Sequence, residues 1–164
     1  MKKDLPKTNA MRELEKAGVA YEPRFYDPDI AEDSATLGET IAHTVGFPPE
    51  QVFKTLVGRG DKNGIAVFCI PVCSVLDTKR AAAVSGNKRF ELLAVKELLP
   101  ATGYVRGGCS PIGMRKKYPV YIDSSALRYA VMTISAGTRG CQLALAPKDL
   151  FAVTGASAAE NILR

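Results

Sequence analysis

Val52-Phe53-Lys54-Thr55-Leu56-Val57, then Gly58-Arg59-Gly60-Asp61-Lys62-Asn63-Gly64, then Ile65-Ala66-Val67-Phe68-Cys69-Ile70, is the stretch that decides the fold. Two runs rich in β-branched and aromatic residues flank a segment dense in glycine, aspartate and asparagine, which predicts a β-hairpin. The first run also carries an anomaly. In a strand, Lys54 shares a face with Val52 and Leu56, while Phe53 and Val57 point the other way. Both faces are partly apolar, so the ammonium has two explanations. It is either a sheet-edge lysine with a packed stem and a wet tip, or a functional cation whose desolvation lowers its pKa.

Outward from the hairpin, short elements alternate with turns. Thr8 to Ala17 reads as an amphipathic helix stopped by Gly18, and Val19 to Tyr26 as an extended segment broken by Pro23. Thr36-Leu37-Gly38-Glu39 has the form of a capping box opening a helix through Val45. Asp77 to Val84 is helical, Phe90 to Leu92 a short strand, and Ala94 to Leu99 a helix stopped by Pro100. Val120–Ile122, Val131–Ile134 and Gln142–Leu145 read as strands, and Lys148–Val153 as a last helix. Residues 156–164 are expected to form a loosely ordered tail. Without long regular βαβ repeats, the pattern predicts an α+β class: one domain over 1–164, a mixed, curled and partly barrel-like sheet with peripheral helices.

With 164 residues, 46% hydrophobic and 24% charged, the chain has the composition of an ordinary globular domain. No apolar run approaches the ~20 residues of a membrane span, and Met1-Lys2-Lys3-Asp4-Leu5-Pro6 lacks the apolar core of a signal peptide; a cytoplasmic protein is expected. The net charge of +5 favours encounter with polyanions. Aromatic residues, at 7%, form no interleaved basic–aromatic stripe of the kind that holds single strands. The four cysteines form no CxxC pair and His43 is the only histidine, so zinc-ligand spacing is missing and no metal or other cofactor is expected.

The second informative segment is Gly107-Gly108-Cys109-Ser110-Pro111-Ile112-Gly113. Its glycines permit torsions and close approaches that a Cβ forbids, and successive N–H groups in such a loop can cradle an oxyanion or carbonyl oxygen. It is neither a P-loop nor a dinucleotide fingerprint. Cys109 invites a nucleophile reading, but that chemistry needs a base, and His43 falls on the polar side of a predicted surface helix. Ser135-Ala136-Gly137-Thr138-Arg139-Gly140 is a further small-residue loop.

These segments, with Arg24-Phe25-Tyr26-Asp27, Gly103-Tyr104-Val105-Arg106, Ile134-Ser135 and Ala146-Pro147-Lys148-Asp149-Leu150, resemble the YbaK/EbsC family of aminoacyl-tRNA trans-editing proteins over nearly the whole chain. The resemblance implies an enzyme that deacylates Cys-tRNA(Pro), Cys-tRNA(Cys), or a similar mischarged species such as one carrying alanine. It implies as partners the 3′ aminoacyl-adenosine of tRNA and prolyl-tRNA synthetase. Carried over by position, Lys54 is the essential lysine near the ester and Gly107 the loop residue whose backbone faces the carbonyl. Tyr26, Leu37, Thr55, Gly108, Ser110, Pro111, Gly113 and Ser135 become substrate-binding residues. The implied route is substrate-assisted cleavage, the cysteine thiol attacking its own carbonyl, or hydrolysis of the positioned ester. Two departures bear on selectivity: the family's Ser-Gly-Gly-Lys-Arg-Gly loop reads Ser135-Ala136-Gly137-Thr138-Arg139-Gly140, and Leu37 stands where some relatives have phenylalanine. A non-catalytic module docking on tRNA or a synthetase is the rival reading.

Overall fold

The computed structural model describes residues 5–29 and 37–164. The predicted hairpin is its spine: β2 (Phe53–Gly60) pairs antiparallel with β3 (Gly64–Pro71), with Lys54 opposite Ile70. Both strands run further toward the turn than their apolar content suggests. The reason is Asn87, whose Oδ1 accepts from the N–H groups of Lys62 and Asn63 at 2.9 and 2.8 Å and so closes the turn from outside.

Around it, the sheet order is β4-β2-β3-β5-β8, with β4 (Phe90–Leu92) antiparallel to β2, and β5 (Val120–Asp123) and β8 (Ser157–Ala159) running parallel to β3 and β5 respectively. A separate antiparallel sheet has the order β1-β7-β6, from β1 (Glu22–Phe25), β6 (Met132–Ser135) and β7 (Cys141–Leu145). The expected single curled sheet is therefore two sheets, neither closed into a barrel. Among the described residues one backbone bridge, Val52 to Thr133, joins them at the start of β2. The α+β class itself is as expected.

Alternation along β3 explains why both of its faces are covered. Ile65, Val67 and Cys69 enter a core shared with the small sheet and α1 (Asn9–Lys16), while Ala66, Phe68 and Ile70 face a second core under α3 (Thr78–Val84). Thr8 caps α1, its Oγ1 accepting from Met11 N at 3.2 Å, and Asp77 caps α3 in the same manner. A third, smaller cluster joins Tyr26 and Val52 to Ala42 and Val45 of α2 (Leu37–Val45). The capping box expected at Thr36 lies outside the described residues.

Two boundaries differ from expectation. Helix α4 (Val95–Thr102) runs through Pro100 instead of stopping before it. Lys96 and Pro100 are both exposed, so water can take the carbonyl that the proline ring leaves unpaired. After α5 (Pro147–Thr154), the segment expected to be a loose tail is ordered. Ser157–Ala159 forms β8 on the open edge of β5, Ile162 is buried, and Arg164 N donates to Val75 O at 2.9 Å.

Candidate active site

Where β2 leaves the bridge to β6, the two sheets part and leave a cleft of about 390 Å³. That volume suits a small-molecule group, but another hollow of equal size lies beside Asp123–Tyr129. Convergence of residues, not size, singles out the first. It is lined by Phe53 to Leu56 of β2, Leu37 and Ile41 of α2, Arg106, Gly107 and Cys109 of the glycine loop, and Tyr26, Ser135 and Gln142.

Lys54 is half-buried, and among the described residues it has neither an ion-pair nor a hydrogen-bond partner. Burial pushes its pKa below the ordinary lysine value, and the neighbouring Cys73 thiol acts weakly the other way. An unpaired, partly desolvated cation is costly, and here it faces a cleft instead of the bulk solvent. The functional explanation of the lysine fits this geometry better than the sheet-edge one.

Gly107 has φ +85°, in the region that L side chains rarely adopt. Its N–H and that of Arg106 have no acceptor among the described residues, whereas the Gly108 N–H is committed to Val105 O at 3.0 Å. The Cys109 N–H is likewise without an acceptor among the described residues, so the free backbone donors of the loop residues lining the cleft are those of Arg106, Gly107 and Cys109.

Six of the ten sequence-predicted residues meet at this cleft: Tyr26, Leu37, Lys54, Thr55, Gly107 and Ser135. Gly108, Ser110, Pro111 and Gly113 do not line it. A Cβ on Gly108 would stand 2.9 Å from Thr138 backbone atoms, so that glycine serves loop-on-loop packing. Ser110 is fully buried, with its Oγ accepting from Ile112 N at 3.3 Å. Gly113 lies against the start of α1, where a Cβ would stand 2.8 Å from Asn9 C, and Pro111 lines a hollow on that side.

Gln142 and Arg106 were not foreseen as part of the site. Gln142 accepts from Thr133 Oγ1 at 3.1 Å and lines the cleft with Tyr26, whose pKa burial raises. The clue was present: a glutamine inside the inward run Cys141–Leu145 needs a buried partner. Ser135 Oγ accepts from Gly137 N at 3.2 Å, which leaves its own proton free to donate into the cleft.

Cys109 is 7% exposed, and burial pushes its thiol up to about 12. His43 is exposed on α2 and does not line the cleft. No carboxylate or imidazole lines it among the described residues, and no three His, Cys, Asp or Glu side chains among them are grouped to hold a metal ion.

Residues 31–153 match the family model of the aminoacyl-tRNA editing domain. The chain belongs to that family. A protein of Enterococcus faecalis named as a Cys-tRNA(Pro)/Cys-tRNA(Cys) deacylase, EbsC, is 43% identical to this editing domain over 159 residues, 97% of this chain and 95% of that protein. A crystal structure described as a trans-editing enzyme for prolyl-tRNA synthetase superposes with a TM-score of 0.79 at 26% identity, covering 95% of this chain and 94% of that one. The hypothetical protein APE2540 shares the fold at a TM-score of 0.80 and 18% identity, covering 96% and 100% of the two chains.

Proposed function

We propose that this editing domain acts in trans on mischarged tRNA, deacylating Cys-tRNA(Pro) by positioning the aminoacyl ester for attack by the substrate's own thiol. The observation that carries the reading is one cleft combining an unpaired, half-buried Lys54 with the free Gly107 N–H and no carboxylate or imidazole base among the described residues.

An aminoacyl ester is already activated, so orientation and charge complementarity can supply the catalysis. The Gly107 N–H receives the carbonyl oxygen as negative charge develops on it. Lys54 holds the 3′-terminal ribose and its phosphate side. Ser135, Tyr26 and Gln142 fix the amino-acid end. The cysteine sulfur then bonds to the carbonyl carbon, the bond from that carbon to the ribose 3′ oxygen breaks, and the thiol proton ends on the 3′ hydroxyl. A thiolactone leaves, and uncharged tRNA remains. Cys109 takes no part: its raised pKa keeps it protonated.

The likeness to a named Cys-tRNA(Pro)/Cys-tRNA(Cys) deacylase and to a trans-editing enzyme for prolyl-tRNA synthetase supports this substrate class. It also supports prolyl-tRNA synthetase as the partner that releases the tRNA, and the cytoplasm as the place of action. The test is a panel of tRNA(Pro) charged with cysteine, serine, alanine or proline, assayed without synthetase. Cysteine should be removed at least about tenfold faster than serine, a difference of ~1.4 kcal/mol in barrier. Equal rates for serine or alanine would replace the thiol route with attack by water, and a lack of turnover on all four would favour the non-catalytic binding module.

A further inference from the structure

Arg139, in the loop between β6 and β7, is exposed and lines no part of the cleft, yet it grips the glycine loop from behind. Its Nε donates to the carbonyl oxygen of Arg106 at 3.1 Å. Its side chain lies along Gly107 so closely that a Cβ there would stand 3.1 Å from Nε and 3.4 Å from Cγ. Gly108 packs on the backbone of the same loop, its missing Cβ 3.0 Å from Arg139 N. The two loops are therefore latched, with one guanidinium at the latch.

The carbonyl of Arg106 and the N–H of Gly107 are the two ends of a single peptide unit. That unit is trans, as is every peptide bond among the described residues, so its C=O and N–H point in opposite directions. A donor that fixes the oxygen also fixes where the N–H points. A charged donor on the oxygen side does more: it polarises the unit and strengthens the N–H as a donor at the far end.

We infer that Arg139 is a positioning residue for deacylation, holding the Arg106–Gly107 peptide so that its N–H meets the ester carbonyl. This rests on the reading of the Gly107 N–H as the carbonyl's donor. An arginine that only bound a tRNA phosphate would leave a different kinetic trace, because phosphate contacts act on affinity and on its salt dependence.

The experiment compares wild type, Arg139→Ala, Arg139→Gln and Arg139→Lys on Cys-tRNA(Pro), resolving kcat from KM at two or more salt concentrations and checking folding by circular dichroism. Arg139→Ala and Arg139→Gln should lose about tenfold or more in kcat, as expected when a transition-state donor is misaimed, with KM moved by about twofold or less. Arg139→Lys keeps the charge without the rigid Nε donor and should recover part of kcat. Methylguanidinium added to Arg139→Ala should restore activity that it does not restore to Lys54→Ala. Unchanged kcat in folded Arg139→Gln, or a raised KM with a shallower salt slope, overturns the inference and leaves the deacylase reading intact. Should wild type itself fail to turn over, or Lys54→Ala match it, the underlying reading fails instead.

Discussion

Replacing Gly107 by alanine separates the stability cost of a backbone torsion from the loss of a catalytic donor. At φ +85°, an L residue pays about 1–2 kcal/mol for the left-handed conformation. The new Cβ would also press on Arg139 Nε at 3.1 Å, a contact that the exposed arginine can relieve by a few tenths of an ångström. The stability loss should therefore be no more than about 1–2 kcal/mol, or a Tm drop of about 2–8 °C for a chain of this size. Activity should suffer far more. Relaxing the strain rotates the 106–107 peptide and takes its N–H off the carbonyl, and removal of one such donor costs about 10²–10³ in kcat. Gly64→Ala supplies the control, since Gly64 has φ +74° with nothing within 4 Å of a built Cβ, in the hairpin turn. Both variants would be followed by thermal melting and by deacylation of Cys-tRNA(Pro) at 25 °C. The expectation is a similar Tm loss in each, with turnover lost only in Gly107→Ala. If Gly107→Ala melts as expected yet retains kcat within about threefold, the N–H is not the donor and the reasoning is refuted.

Lys54→Met should be more stable than wild type near neutral pH, by about 0.5–2 kcal/mol, since it removes an unpaired half-buried ammonium, while deacylation is lost. The sign of its pH dependence follows from burial. The folded pKa of Lys54 lies below its unfolded value, so the unfolded chain binds more protons between the two, and wild-type stability rises with pH up to about 10.4. Urea titrations should show the advantage of Lys54→Met fading over that window; an advantage that grows there would mean that Lys54 is held by an anion. Cys109→Ser should reduce turnover by about threefold or less, because the buried thiol, with its pKa at about 12, supplies no thiolate. A loss on the scale of Lys54→Ala would restore a cysteine nucleophile.

The hairpin and its lysine were legible because two runs rich in β-branched and aromatic residues flank a dense turn segment over Val52–Ile70, and no competing pattern interrupts them. What the chain does beyond local pattern was harder to read. Ser157-Ala158-Ala159 has little strand propensity, and it forms β8 because the edge of β5 is open and Ile162 has a core to enter. The meeting of the two sheets at the Val52–Thr133 bridge is a long-range pairing that no local signal marks. Within the glycine loop, composition suggested a row of equivalent donors. The structure distinguishes them: Gly108 is committed to Val105, Ser110 is turned into the core, and Gly113 makes room for α1. Only Arg106, Gly107 and Cys109 of this segment line the cleft with N–H groups that have no acceptor among the described residues. Gln142 was hidden because Gln142–Leu145 was read as a strand, without asking where its amide would find partners.

The central claim is that Lys54 is a charge that positions an aminoacyl ester in this cleft. Single-turnover deacylation of Cys-tRNA(Pro) by purified Lys54→Ala, with no synthetase present, tests it most directly. The account predicts a rate reduced by about 10² or more, with a circular dichroism spectrum like that of wild type. Turnover within a few-fold of wild type would contradict it.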